Sequence, residues 1–329
     1  MEIIALESPL PADLIKELAE LWESTFETSY DDLRLVLAGD EVSFNRNLVY
    51  LIREGKELAG TTHLTIPREA PALGGLGEVV TVPTFRGRGI ATRLCARARD
   101  DFRAHSGRAL YLGTVNPAAA RVYHRLGWRN LAGTTVMACA TDGPSPEAFL
   151  VDYFREQGGG IKIAEGTAAS RIPMIPLIVM PHDWQVLDAN VALYSTRHVA
   201  QHSCMSLYPR FHALTQQGRG AWFGAQSIGG GLLGLGTARL DAGGQCQVDG
   251  FVYQAGQAVW SELLQAAASW GVAHGATACW TAVSVEDEQK KAWSVALGFS
   301  ESGQAEDFAL GDRSVASVRL ERRSDDSSA

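Results

Sequence analysis

The sequence has no Cys-x-x-Cys pair, no apolar run of bilayer length and no excess of basic residues, and each absence removes a class of protein. Its five cysteines (Cys95, Cys139, Cys204, Cys246 and Cys279) are odd in number and scattered. That distribution argues against a disulfide or zinc framework and suits reduced, buried thiols in a cytoplasmic protein. Lys and Arg number 29 against 37 Asp and Glu, a net charge of −8. Nucleic-acid binding draws largely on cations that neutralise phosphates, so no nucleic-acid partner is expected. The surplus of carboxylates suits a cationic small molecule instead. The longest apolar stretch, Met174–Met180, is interrupted by Pro176 and falls far short of a membrane span. No membrane partner is expected. The opening residues Met1–Glu7 lack a basic segment followed by an apolar one, so a secretory leader is not expected there.

What is present is an ordinary globular composition, 46% hydrophobic and 20% charged over 329 residues. A chain of this length accommodates two domains and needs no metal or disulfide to hold them. Two stretches read as punctuation: Thr141–Pro146 and the glycine triplet Gly158–Gly160. Between them Phe149, Leu150, Tyr153 and Phe154 recur at helical spacing. These features divide the chain into a first domain over 1–144, a linker helix over 145–157, a second domain over 158–320 and a polar, disordered tail over 321–329.

The first half alternates between the two periodicities. Strands are expected over 2–6, 48–52, 58–66, 78–82, 110–115 and 128–139, with a hairpin turn at Gly55. Helices are expected over 12–27, where Leu14, Ile15, Leu18, Leu21, Trp22 and Phe26 share a face, and over 90–105. Asn116-Pro117 opens a third helix, Asn as cap and Pro at the first helical position, and Gly127 ends it. The resulting order is a mixed α/β domain. The second half repeats it weakly. Ala221–Leu240 resembles Leu48–Ile66, with Gly234 at the place of Gly60. Val248–Trp270 resembles Val80–Phe102, with Leu263 at the place of Leu94, and Ala296–Phe299 echoes Arg125–Trp128.

The sharpest local pattern is Val80-Thr81-Val82-Pro83-Thr84-Phe85-Arg86-Gly87-Arg88-Gly89-Ile90-Ala91, a strand, a glycine turn and a helix. Such an arrangement aims free backbone N–H groups and the positive end of a helix dipole at one point. Gly87 and Gly89 permit close approach, and Arg86 and Arg88 add positive charge. The ligand it suits is a phosphate or pyrophosphate. The dinucleotide pattern fails for want of a third glycine and a downstream acid, and no Lys-Ser/Thr completes a P-loop. A second motif follows at Asn116, Ala119, Tyr123, Gly127 and Trp128.

Together these motifs resemble the GNAT superfamily of acyl-CoA-dependent N-acyltransferases. Arg86, Gly89 and Ala91 match its phosphate motif, and Asn116 through Trp128 match its second motif. The resemblance covers roughly 1–140 well and 161–320 faintly, and implies two tandem GNAT-like α/β domains, each a mixed twisted sheet flanked by helices. It further implies acetyl-CoA as cosubstrate. The pantetheine arm would lie along Val80, Thr81 and Val82 and beside Asn116, and the pyrophosphate on Arg86, Gly87, Arg88, Gly89, Ile90, Ala91 and Thr92. An amine would attack the thioester, and an N–H near Val82 would face the oxyanion. Tyr123 would be the general acid for the departing thiolate. Glu78 is the candidate base, and His63 on the preceding strand is a second. Tyr123 packing in the core, Asn116 acting only as a cap and Glu78 as a solvated strand-end acid are the plainer alternatives.

The first helix and the loop after it, Trp22–Asp32, mix aromatics with acids and would wall the acceptor side. Read alone, that stretch is an amphipathic helix followed by an acidic turn. In the second half, aligning Leu263 on Leu94 puts Trp260 at the place of Ala91, Asp287 at that of Asn116 and Ser294 at that of Tyr123. This half is expected to be silent, with the Trp260 indole where phosphates would lie. His198 and His202 are four apart and would share a helical face in 195–208, but no third ligand accompanies them and no metal is expected. The sequence therefore points to an N-acetyltransferase acting on the primary amine of a small molecule or peptide. A non-catalytic acyl-CoA-binding regulator, or a transferase using a longer acyl or aminoacyl donor, is the alternative.

Overall fold

The computed structural model describes residues 2–216 and 218–323. In the first half the strands are β1 (Ile3–Glu7), β2 (Asn45–Glu54), β3 (Glu57–Pro67), β4 (Leu73–Thr81), β5 (Ala109–Gly113), β6 (Arg129–Asn130) and β7 (Val136–Ala140). They form one sheet in the order β1-β2-β3-β4-β5-β7-β6, with β4 and β5 parallel and every other pair antiparallel. The helices are α1 (Ala12–Phe26), α2 (Asp31–Ala38), α3 (Ile90–Ala104) and α4 (Pro117–Arg125). α3 buries Ile90, Leu94, Cys95, Ala98 and Phe102 against the sheet, as its spacing predicts. The expected acidic turn after the first helix is instead α2. Asp31 and Asp32 favour its positive end, and Val36 and Leu37 are buried. The expected single strand over 128–139 is two strands, broken at Leu131–Thr135.

Helix α5 (Pro146–Glu156), capped by Ser145, leads to the second half. There the strands are β8 (Ile161–Glu165), β9 (Val186–Asp188), β10 (Leu193–Tyr194), β11 (Gly220–Ser227), β12 (Leu232–Leu240), β13 (Cys246–Val252), β14 (Ala278–Ser284), β15 (Ser300–Gln304), β16 (Phe308–Leu310), β17 (Arg313–Val315) and β18 (Ser317–Arg323). The helices are α6 (Met174–Val179), α7 (Leu207–Gln216), α8 (Gly256–Ala273) and α9 (Glu288–Ala296). The main sheet runs β8-β11-β12-β13-β14-β18-β15, with only β13 and β14 parallel. This is the first sheet's order and polarity over again, so the two halves are units of one design. Gly60 and Gly234 show the match at residue level. A Cβ on Gly60 would lie 2.6 Å from Ile90 Cγ2, and one on Gly234 would lie 2.8 Å from Leu263 Cδ1. At both places the helix after the glycine turn presses onto the third main strand too closely for a side chain.

Two expectations fail here. β18 runs to Arg323 and pairs Glu321 with Trp280, so the tail does not begin at 321; residues 324–329 lie outside the described residues. Residues 195–206 are irregular, so His198 and His202 share no helical face. Thr135 accounts for part of this, because its N–H and hydroxyl hold the carbonyls of Gln201 (2.8 Å) and His202 (2.7 Å) in an extended run along the first half. The halves also share one apolar core that joins Leu73 and Tyr111 to Ile172, Leu207 and Trp222.

Candidate active site

β4 and β5 pair only over Leu73–Gly75 and Ala109–Tyr111, then diverge. At the divergence β4 bulges. Its register against β3 slips between Thr61 and His63, and Glu78 takes a left-handed backbone with φ 50°. Neighbouring hydroxyls hold this costly conformation in place. Thr61 Oγ1 donates to Glu78 O (3.0 Å) and itself accepts from Trp22 Nε1 (2.9 Å), while Thr62 Oγ1 donates to Gly77 O (3.1 Å). The bulge sets the Glu78 carboxylate 3.3 Å from His63 Nδ1. His63 Nε2 lies 3.1 Å from Asn47 Oδ1, which also accepts from Thr65 Oγ1 at 2.9 Å. The imidazole is thus held at both nitrogens, by Glu78 and by Asn47.

After β4 comes the glycine turn. Gly87 and Gly89 have φ of 78° and 72°, the left-handed region that glycine enters without strain. A Cβ on either would meet nothing within 4 Å. The turn is open in front of α3, whose first N–H groups have no capping side chain from Gly89. Arg86 Nε donates to Thr81 O (3.3 Å). Arg88 is drawn aside by Glu54, 2.8 Å away, and stacks on Phe85. The Val82 N–H, in the region expected to face an oxyanion, donates to Ala59 O (3.1 Å) and is spent. Asn116 caps α4 through Oδ1, accepting from Ala118 N (2.9 Å) and Ala119 N (3.4 Å).

Tyr123, on α4, is buried against Trp128 with ring centroids 6.2 Å apart. Burial, with the charges of Cys95 and Glu78, pushes its phenol well above the usual range. Its hydroxyl makes no hydrogen bond to another described residue. Glu78 acts on Tyr30 in the same sense, after burial, so both phenols stand within its field.

On the other side of the bulge lies a cavity of about 850 Å³, lined by Glu78, His63 and Asn47 together with residues of both halves. Segment 203–205 of the second half crosses the ends of the diverging strands. A Cβ on Gly113 would lie 3.3 Å from Cys204 N, and one on Gly77 would lie 3.7 Å from Met205 Cγ. Arg171 of the second half pairs with Glu41 of the first, its Nε 3.0 Å from Oε2, and stacks over Tyr208. Asn47, Tyr30 and these second-half residues carry no motif of their own. Tyr30 lies in the Trp22–Asp32 stretch expected on the acceptor side; the others are found only through the bulge and the packing of the halves.

Residues 13–128 match the model of the acetyltransferase (GNAT) family. This segment is a GNAT-family domain. Solved GNAT structures are similar to half of the chain. The N-acetyltransferase from Staphylococcus aureus Mu50 is 13% identical with TM-score 0.41, covering 50% of this chain and 99% of its own. The GNAT-family acetyltransferase from Streptococcus pneumoniae is 14% identical with TM-score 0.39, covering 50% and 99%. The spermidine N-acetyltransferase from Vibrio cholerae, solved with CoA and spermine, is 13% identical with TM-score 0.39, covering 50% and 96%. The chain has no match among curated proteins. GNAT enzymes use acyl-CoA, and the open glycine turn beside diverging strands fits that group.

In the second half the corresponding cleft is filled. β13 and β14 pair only over Cys246–Gln247 and Cys279–Trp280, and the space beyond holds residues 184–188. Lys290, at the place of Ala119 on α9, donates to Val186 O (2.9 Å) and Leu187 O (3.2 Å) and lies 2.6 Å from Asp249. Asp287 accepts from Gln185 N (2.7 Å) and Val186 N (3.1 Å). Trp260 does not lie in a phosphate position. Its indole faces inward, donates to Gly250 O (2.9 Å) and packs on Trp184 and Trp293. Among the described residues no group of three His, Cys, Asp or Glu could hold a metal, and no helix is long and apolar enough to cross a membrane.

Proposed function

We propose that the chain is an acetyl-CoA-dependent N-acetyltransferase acting on a primary amine, with catalysis in the first half and a degenerate, non-catalytic second half. The observation that carries this reading is the Glu78–His63 pair, set by the β4 bulge beside the divergence of β4 and β5. Acetyl-CoA supplies an acyl group activated as a thioester. Val80, Thr81 and Val82 line its arm with Asn116 alongside, and Arg86 to Thr92 hold its pyrophosphate. Glu78 takes the proton of the incoming ammonium, with His63 holding the carboxylate in place and Asn47 holding His63. Tyr123 lies towards α4 and gives its proton to the departing sulfur. Domain limits of 1–144 and 158–320, with 145–157 between, suit this division. The five buried, unpaired thiols suit a cytoplasmic location.

The test is thiol release from acetyl-CoA against a panel of amines. Glu78→Gln keeps the shape of the site and removes the base, so turnover should fall by ~10²-fold or more while acetyl-CoA binding is kept. Wild-type turnover in that variant would remove Glu78 from the chemistry. Failure of acetyl-CoA to bind the native chain would remove the function.

A further inference from the structure

The cavity between the halves has a deep end and a mouth of different chemistry. At the deep end are Glu78 and His63, with Asn47, whose Nδ2 is buried without a partner. A buried donor left unpaired in this lining marks a place for an acceptor atom, such as the acyl oxygen, and leaves the ammonium to Glu78. At the mouth are three exposed carboxylates, Asp32 and Asp40 from the first half and Glu165 from the second. None of the three has an ion-pair partner among the described residues. Tyr30, Leu33 and Met205 give the wall between the two ends an apolar character.

The one Arg or Lys among the described lining residues is Arg171, and it is already engaged. Both arms of its guanidinium meet the Glu41 carboxylate, and its plane lies 4.2 Å over the Tyr208 ring. An acceptor bearing a carboxylate or phosphate would find no free guanidinium or ammonium on this wall and three like charges at the mouth. An acceptor with a second positive charge meets the opposite. Its reacting ammonium would reach Glu78, its apolar body would cover Tyr30, Leu33 and Met205, and its far cation would lie among Asp32, Asp40 and Glu165.

We propose that the acceptor is a dicationic amine with an apolar spacer, held in a cavity shared by both halves, and that Glu165 makes the second half a determinant of specificity. The proposal rests on the acetyltransferase reading of the same site and narrows it. Selectivity at the mouth comes from exposed charges, so it weakens as salt rises.

The experiment compares thiol release from acetyl-CoA with three acceptors of one chain length: a terminal diaminohexane, hexylamine and aminohexanoate. The expected order of kcat/KM is diamine, monoamine, amino acid. In the triple variant Asp32→Asn, Asp40→Asn, Glu165→Gln, the ratio of diamine to hexylamine should fall roughly tenfold, the combined worth of a few exposed ion pairs. A merely structural role for these residues would lower both acceptors together and leave the ratio standing. Equal turnover of diamine and hexylamine, preference for aminohexanoate, or an unchanged ratio in the variant would overturn the proposal. Calorimetric titration of acetyl-CoA separates the two layers. Binding of acetyl-CoA with no turnover of the diamine refutes the dication alone, whereas no binding refutes the acetyltransferase reading as well.

Discussion

Tyr123 is on α4 and Glu78 on the β4 bulge, and the charge of Glu78 reaches the Tyr123 phenol. Burial keeps the Tyr123 phenol protonated through the working range of pH, which suits a donor and excludes a base. Tyr123→Phe removes one hydroxyl with no hydrogen bond to another described residue, so the fold and acetyl-CoA affinity should be retained. Turnover at saturating substrates should fall by ~10²-fold, read by thiol release beside a calorimetric titration. Wild-type turnover would move the proton to another group. At this scale the sequence was informative where chemistry depends on neighbours in the chain. The glycine turn and the series Asn116, Ala119, Tyr123, Gly127, Trp128 are local patterns, and their geometry follows from local rules. The fixing of His63 by Asn47 was not legible. It depends on the pairing of β2 with β3 and on a one-residue slip of register that no periodicity announces.

Among the elements, α2 was written in the sequence as Asp31-Asp32 followed by Leu33, Val36 and Leu37 at helical spacing, yet one turn of acids reads equally well as a loop. β9 was hidden altogether, because Val186–Asp188 is short and its role is to fill the second half's cleft. There Asp188 is fully buried. It accepts from Thr237 Oγ1 (2.8 Å) and Asn190 N (2.9 Å), near Asp249 and Lys290. Burial first, and then the charge of Asp249, raise its carboxyl from 3.8 to about 7. A folded-state value above the unfolded one means that the folded chain binds more protons between the two. Stability is therefore highest below about pH 4 as far as this group is concerned, and it is lost as pH rises towards 7. Melting followed by circular dichroism should show Tm falling by roughly 5 °C or more from pH 5 to pH 8. Asp188→Asn should flatten that slope. An equally steep slope in the variant would assign the proton elsewhere.

The whole molecule is one design used twice, with opposite treatment of the same cleft. In the first half the strands diverge onto an open glycine turn. In the second they diverge around residues 184–188, secured by Lys290, Asp249 and Asp287. The duplication was legible from Gly60 and Gly234 and from Leu94 and Leu263, because close packing of helix on strand leaves the same small and large residues at the same spacing. The filling was not legible in the form it takes. Trp260 is where the alignment put it, but it points into the core, and the plug is a segment far away in sequence. The shared acceptor cavity was equally invisible, since Arg171, Met205 and Glu165 reach it only through packing of one half on the other. We propose that the first half alone takes the acyl donor, while the cleft of the second is filled by its own residues and that half lends a wall. An anion taken from water without enough partners is costly; the second half's turn at Gly256 is open but carries no arginine, and the strand divergence beside it is filled. Calorimetric titration of acetyl-CoA into the intact chain tests this most directly. One saturable site per chain is expected, lost on blocking the turn at Gly87–Gly89; two sites of comparable affinity, or one that survives that block, would overturn the reading.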